Sequence, residues 1–365
     1  MKILYVIPSL NLGGAETLVY SITKELKENI DISIYVLKSS HSYLEVELKN
    51  LGIKIIEAKS GKNVSFGNIK ELLKLSKEYD MVHTHLSYAQ YYGALITLFN
   101  RKSIFITTEH STNNKRRKGI LFKGLDYFVY GRYKKIIAIS RGAKKALEIW
   151  QPKMKNKIVL LENGIDLKKF KEYKLSKEEL KKEGYLEIFN KENKNLLMVG
   201  SFRKEKDQKT LIEALSMLES EYRVILVGDG ELREYLKDLS RKLGVEDRVE
   251  FLGKREDVPN LMNLAHVFIL SSNWEGFGLV AIESMACGTP VIASKVEGLS
   301  EVVGNSALLF EKNKADDLKN KIDMIFNEEG LYEKLKSSGK EHCKRYDIKN
   351  KAKEHLKLYR ELLQS

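Results

Sequence analysis

The sequence predicts an α/β protein built from two doubly wound domains in tandem. Three observations carry that expectation: a length beyond one ordinary core, short β-branched runs alternating with amphipathic stretches, and a restart of that alternation near mid-chain. At 365 residues the chain exceeds the size at which a single hydrophobic core keeps growing, so two domains are expected. Apolar residues make up 43% and charged ones 31%, which is ample core material under a solvated surface.

In chain order, Ile3 to Ile7 reads as a first strand, Ala15 to Glu28 as a helix and Ile32 to Leu37 as a second strand. Ile53 to Ile56, Met81 to His85, Ile104 to Thr108, Ile136 to Ile139 and Ile158 to Leu161 continue the series. Helical patterns fill the gaps, as a parallel sheet wound with helices requires. From about Lys168 to Asn195 the chain is rich in Lys and Glu and poor in large apolar residues, which reads as a linker with an exposed helix. The alternation restarts at Leu196 to Val199, with a helix near Gln208 to Leu218 and a strand at Arg223 to Val227. Val249 to Leu252, Val267 to Leu270 and Pro290 to Ala293 follow as strands. The expected domains are therefore 1–167 and 168–345. A last helical pattern, Asp347 to Leu363, carries Ile348, Ala352, Leu356, Tyr359 and Leu363 at its apolar positions.

Composition narrows the function classes. The two cysteines, Cys287 and Cys343, lie far apart without a C-x-x-C or Cys/His cluster, so neither a zinc site nor a disulfide framework is expected and a reducing compartment fits. The N-terminal apolar run is too short for a signal-peptide core, and no stretch approaches the roughly 20 apolar residues that span a bilayer. A cytoplasmic location is the resulting expectation. The net charge of +13 points to an anionic partner.

Two glycine loops and several polar residues carry chemistry. Gly13-Gly14-Ala15-Glu16 lies between the first strand and first helix, where it is either a tight turn or a seat for phosphate on the helix N-terminus. G-x-G-x-x-G is absent, and Lys38 to Ser40 supply no acid for a ribose, which disfavours a dinucleotide enzyme. The stretch Ser272-Asn273-Trp274-Glu275-Gly276-Phe277-Gly278-Leu279 follows a strand, turns through two glycines and opens a helix, a second phosphate seat at a sheet edge. Glu283 falls one turn into that helix on a face shared with Leu279 and Ala286. A carboxylate there needs a partner, either a lysine or the hydroxyls of a sugar. His83 and His85 lack a third ligand placed by the sequence, so a metal pair is rejected.

The pattern Glu275-x7-Glu283 in a strand, glycine loop and helix context resembles the signature of the retaining family 4 glycosyltransferases. Further landmarks follow in order: Gly13-Gly14-Ala15-Glu16, Glu109-His110-Ser111, Asn163-Gly164-Ile165-Asp166 and Gly200-Ser201-Phe202-Arg203-Lys204-Glu205-Lys206. The resemblance implies the GT-B fold: two Rossmann-like domains facing across a cleft, an acceptor domain 1–167, a donor domain 168–345, and a C-terminal helix (346–365) returning to the first. It places Glu275 and His110 beside the transferred sugar and Glu283 on the nucleotide ribose. Lys206 then meets the donor pyrophosphate, Gly13 and Gly14 lie near the phosphates and acceptor, and backbone groups of Phe277, Gly278 and Leu279 meet sugar and phosphate. The family's usual arginine position is Ser201 here, so either Arg203 substitutes or that contact is missing.

The implied function is a hexose-type transfer from a nucleotide sugar, UDP-linked first and GDP-linked next, to a hydroxyl of a glycan or lipid-linked acceptor in cell-surface polysaccharide synthesis. No Asp-x-Asp occurs in the chain, so no metal and no cofactor is expected, the nucleotide sugar being a substrate. The same architecture also serves nucleotide-sugar epimerases, sugar phosphorylases and non-catalytic sugar-nucleotide-binding subunits. The segment 115–145 concentrates Lys115, Arg116, Arg117, Lys118, Lys123, Arg132, Lys134, Lys135, Arg141, Lys144 and Lys145 against the single acid Asp126. Interleaved with aromatic and aliphatic residues, it is either a contact for an anionic membrane or a buried helix with solvated lysines. No nucleic-acid-binding module accompanies the charge.

Overall fold

The computed structural model describes residues 1–11, 13–112, 117, 119–190 and 192–364. Two compact units divide them, the first comprising Met1–Gly164 and Tyr346–Ser365, the second Ile165–Arg345. In the first unit the elements are β1 (Lys2–Ile7), α1 (Gly14–Leu26), β2 (Asp31–Val36), α2 (Tyr43–Asn50), β3 (Lys54–Glu57), α3 (Phe66–Ser76), β4 (Met81–His85), α4 (Ser87–Ile96), β5 (Ile104–Glu109), α5 (Ile120–Gly131), β6 (Lys135–Ala138), α6 (Arg141–Trp150) and β7 (Ile158–Leu160). The second unit contains α7 (Lys177–Lys182), α8 (Tyr185–Ile188), β8 (Lys194–Val199), α9 (Gln208–Leu215), β9 (Tyr222–Val227), α10 (Arg233–Lys242), β10 (Val249–Gly253), α11 (Val258–Leu264), β11 (Val267–Leu270), α12 (Leu279–Ala286), β12 (Val291–Ser294), α13 (Leu299–Val303), β13 (Leu308–Phe310), α14 (Ala315–Asn327) and α15 (Leu331–His342). A last helix, α16 (Ile348–Gln364), belongs to the first unit.

Both sheets are parallel, with strand orders β3-β2-β1-β4-β5-β6-β7 and β10-β9-β8-β11-β12-β13. Runs such as Ile3 to Ile7 and Val267 to Leu270 are buried without alternation, because helices cover both faces of a parallel sheet. In each sheet the chain reverses its winding beside the first strand, between β1 and β4 in one and between β8 and β11 in the other. Crevices at the carboxyl ends of such strands are where doubly wound folds bind ligands. The Gly13 loop opens at the first reversal, and the Gly200 and Ser271–Gly278 segments lie at the second.

The helix α16 is held in the first unit by packing on α1 and by Tyr359, whose hydroxyl meets the Tyr5 hydroxyl and His83 Nδ1, each at 2.9 Å. Its buried stripe ends on Leu362, while Leu363, expected at that position, is 37% exposed. Gly164 is required where the chain passes this helix, since a Cβ there would lie 2.9 Å from the Ile348 Cα. The segment expected to be an exposed linker is exposed over α7 but not throughout. Tyr185 and Phe189 are buried, and the Tyr185 hydroxyl donates to Asp257. Two aromatic side chains thus tie a Lys/Glu-rich stretch to its unit.

Candidate functional site

In the second unit, β11 ends at Leu270 and the chain turns through Ser271 to Gly278 before α12 begins. Gly278, the N-cap of that helix, has φ +86°, a left-handed conformation that glycine adopts without strain. A Cβ there would also lie 2.5 Å from Leu299 Cδ1. The first-turn N–H groups of α12 have no side-chain cap from this residue, which leaves the helix N-terminus suited to an anion. Phe277 is buried beneath the loop.

Glu275 and Lys206 meet in this loop. Lys206 Nζ donates to Glu275 Oε2 at 2.6 Å, and Ser272 Oγ donates to the same oxygen at 3.2 Å. The supporting contacts explain why two distant segments converge. Ser271 Oγ donates to the carbonyls of Asp207 (2.8 Å) and Lys206 (3.2 Å), and Asn273 bonds the carbonyls of Lys204 and Glu205. Ser294 Oγ donates to the Ser272 carbonyl at 2.5 Å. These serines, all fully buried, were not singled out from sequence, where a serine beside a strand end is too common to signify. Only backbone proximity gives them meaning.

Glu283 is 8% exposed on α12, and its carboxylate has no hydrogen-bond partner among the described residues. Burial pushes its pKa up to about 7, against a weaker downward pull from Lys169. Among the described residues no lysine pairs with it at ion-pair distance, so the lysine partner that the sequence also allows is not seen there. Arg203 is exposed in the turn that closes when its N–H donates to the Ser201 carbonyl. Asp166, from the Asn163-Gly164-Ile165-Asp166 segment, accepts from the N–H groups of Lys168 and Lys169 as a turn residue.

In the first unit, Gly13 is the N-cap of α1 and has extended backbone, with Gly14 as the first helical residue. The Glu16 side chain folds back over Gly13, where a Cβ would meet Oε2 at 2.5 Å, and burial raises the Glu16 pKa. His110 lies just beyond β5, with Nε2 3.1 Å from His85 Nδ1. Burial lowers its pKa to about 3, so the ring is neutral, and Nδ1 is shielded without a partner among the described residues. His83 is satisfied on both nitrogens, by the Tyr359 hydroxyl and by Thr108 Oγ1 at 2.7 Å. Among the described residues no group of three His, Cys, Asp or Glu side chains is placed to hold a metal ion. Lys115, Arg116 and Lys118 of the basic segment lie outside the described residues. In the remainder of that segment α5 buries only one face: Asp126, Val129 and Tyr130 point inward, while Leu121 is 87% exposed and Phe122, Leu125, Tyr127 and Phe128 are also outward.

Residues 12–169 match the family model described as Glycosyltransferase Family 4, and residues 186–342 match Glycosyl transferases group 1. An uncharacterised glycosyltransferase of Methanocaldococcus jannaschii is 32% identical over 96% of this chain and 95% of its own length. The UDP-Gal:α-D-GlcNAc-diphosphoundecaprenol α-1,3-galactosyltransferase of Escherichia coli is 28% identical over 72% of this chain and 70% of its own. A glycosyltransferase of Rickettsia africae superposes with a TM-score of 0.86 at 26% identity, covering 100% of this chain and 99% of that one. Anabaena HepE, solved with UDP and glucose, shares the fold with a TM-score of 0.88 at 23% identity, covering 99% and 100%. Two Rossmann-like units with both family models in tandem, and a relative matched almost end to end, make the chain a GT-B glycosyltransferase that belongs to glycosyltransferase family 4.

Proposed function

We propose that the chain is a retaining, metal-independent hexosyltransferase that takes a UDP-sugar in preference to a GDP-sugar. It passes the sugar to a hydroxyl of a glycan or lipid-linked acceptor in cell-surface polysaccharide synthesis. The observation that carries this reading is Glu283, a buried carboxylate with no hydrogen-bond partner among the described residues, on the helix after a glycine loop. Vicinal ribose hydroxyls are donors that would satisfy both of its oxygens. The E. coli relative, named for UDP-galactose and a diphosphoundecaprenol acceptor, supports the UDP preference and the lipid-linked acceptor.

In this reading Glu283 holds the ribose, Lys206 and Arg203 hold the diphosphate, and the backbone groups of Phe277, Gly278 and Leu279 meet the sugar and phosphates. Glu275 and His110 bind hydroxyls of the transferred sugar, and the Gly13-Gly14 turn lies near phosphate and acceptor. During transfer the bond from the anomeric carbon to the phosphate oxygen breaks, and the acceptor oxygen bonds to the same face of that carbon. The acceptor proton passes to the departing phosphate. Lys206, Arg203 and the α12 N-terminus stabilise the negative charge that develops there, a role that needs no bound cation. The exposed stripe of α5 and its cations support peripheral contact with the inner face of an anionic membrane; no described helix is long and apolar enough to cross one.

A thermal-shift panel of nucleotide sugars tests the donor, since a ligand specific to the folded state raises its melting temperature. The UDP-sugars should give the largest shifts, and release of UDP should require acceptor and survive chelation of divalent ions. Conversion of the donor sugar with no acceptor present would instead indicate an epimerase. Transfer abolished by chelation and restored by a divalent ion would overturn metal independence.

A further inference from the structure

At the end of α5 remote from His110, Thr97, Asn100, Arg132, Lys134 and Lys157 line an open hollow of about 340 Å³. No acidic residue among the described ones lines it. Lys157 Nζ donates to the carbonyls of Gly131 (2.6 Å) and Tyr133 (3.0 Å), which fixes the ammonium at the C-terminal end of α5. Burial and the neighbouring Arg132 both weaken its hold on its proton, as expected where like charges crowd without a counter-ion. None of the three cations makes a side-chain ion pair among the described residues.

The same three cations stand at the end of an apolar stripe. Leu121, Leu125, Phe128 and Arg132 recur at helical spacing along α5, the first three exposed by 87%, 44% and 36%. The Arg132 guanidinium lies 4.7 Å over the Phe128 ring. Across the hollow, Leu98 and Phe99 follow Thr97 and are exposed as well, Phe99 by 67%. A ligand that suits this arrangement is anionic at one end and apolar along its length.

The geometry points to a phospholipid-headgroup site in this hollow, in which Arg132, Lys134 and Lys157 bind the phosphate of an anionic lipid while the α5 stripe lies among its acyl chains. It rests on the membrane contact proposed above and deepens it by naming the anchoring point. An α5 helix lying along the interface would then be clamped at its C-terminal end by charge and along its outer face by apolar burial. Free phosphate shares the charged half of the chemistry but gives Leu121, Leu125 and Phe128 nothing to bury against.

The test is vesicle co-sedimentation of the full chain with phosphatidylcholine alone and with equal parts phosphatidylcholine and phosphatidylglycerol. Three double variants are compared: R132Q/K134Q in the hollow, L121S/L125S on the stripe, and K242Q/K254Q as a charge-matched control in the second unit. We expect binding to the phosphatidylglycerol vesicles, weakened on the order of tenfold or more by R132Q/K134Q, weakened by L121S/L125S, and little altered by the control. If no variant or wild-type chain sediments with either vesicle, the membrane reading itself fails. Wild-type binding that depends on the stripe, yet falls equally in R132Q/K134Q and the control, overturns the headgroup site and leaves membrane contact standing. Inorganic phosphate binding that R132Q/K134Q abolishes while vesicle binding stays intact would assign the hollow to a soluble anion and overturn the lipid.

Discussion

The helix after β2 and the helix after β11 each bury one glutamate, and they hold it in opposite ways. Glu45 is 2% exposed, and its carboxylate accepts from Ser39 Oγ (2.8 Å), the N–H groups of Ser40 and His41 (3.1 and 3.2 Å) and Lys49 Nζ (3.4 Å). Burial alone would raise its pKa, but those donors outweigh it and the net direction is down. Glu283, nearly as buried, has no such donor among the described residues, and burial leaves its pKa at about 7. Burial alone therefore does not mark a binding carboxylate; on the proposed function burial without donors does, because a folded chain rarely leaves a desolvated charge uncompensated except where a ligand supplies the compensation.

Glu275 stands between these cases, since Lys206 and Ser272 share one of its oxygens. The largest expected effect is on it. Glu275→Gln should lower kcat by about 100-fold or more, the scale seen when one group stabilising a transition state is removed, while calorimetry finds nucleotide affinity changed only a few-fold. An equal collapse of affinity and kcat would place Glu275 with Glu45 as a structural carboxylate. Next, Glu45→Ala should cost about 2 kcal/mol of stability by urea denaturation, because buried donors lose their acceptor. Nucleotide affinity in that variant should stay at the wild-type value. A stable Glu45→Ala chain with weakened nucleotide binding would erase the contrast.

Glu283→Ala should reverse that pattern. Nucleotide affinity is expected to fall by ~1 to 3 kcal/mol, as for a lost charged acceptor, with no loss of stability above neutral pH. Unchanged affinity for both UDP and GDP would remove Glu283 from the site.

The contrast between these glutamates shows what a sequence exposes. The strand Val267–Leu270 is legible to the residue because a buried parallel strand is a continuous apolar run. The strand Leu308–Phe310, three residues long, is not among the strands read from the sequence. Glu283 and Lys206 were legible through the loop around them, in residues close along the chain. Glu45 and Ser272 were not, because their meaning lies in donors and acceptors brought together by folding. The buried Tyr185 was hidden by the charged residues on either side of it, although one aromatic ring buries more apolar surface than several lysines expose. His85 was visible as half of a possible metal pair, but its contact with His110 depends on the pairing of β4 with β5.

The smallest expected effect separates the two buried carboxylates by the sign of their pH dependence. Glu283 has a folded pKa near 7, above its ordinary value of 4.5. The folded chain therefore holds a proton that the unfolded chain has released, and Glu283 withdraws stability as pH rises through that window. Glu45, whose folded pKa is below 4.5, contributes stability above that value and loses it as pH falls. Ribose hydroxyls donate to an ionised carboxylate, so UDP affinity should increase by about tenfold at most between about pH 6 and pH 8 as Glu283 ionises. The phosphates of UDP titrate in the same range. Glu283→Gln experiences that titration equally, so the ratio of wild-type to variant affinity isolates the carboxylate. A ratio that stays flat across this range, while Glu283→Gln still weakens binding, would mean that Glu283 is already ionised at pH 6 and that a donor within the chain compensates it as Glu45 is compensated.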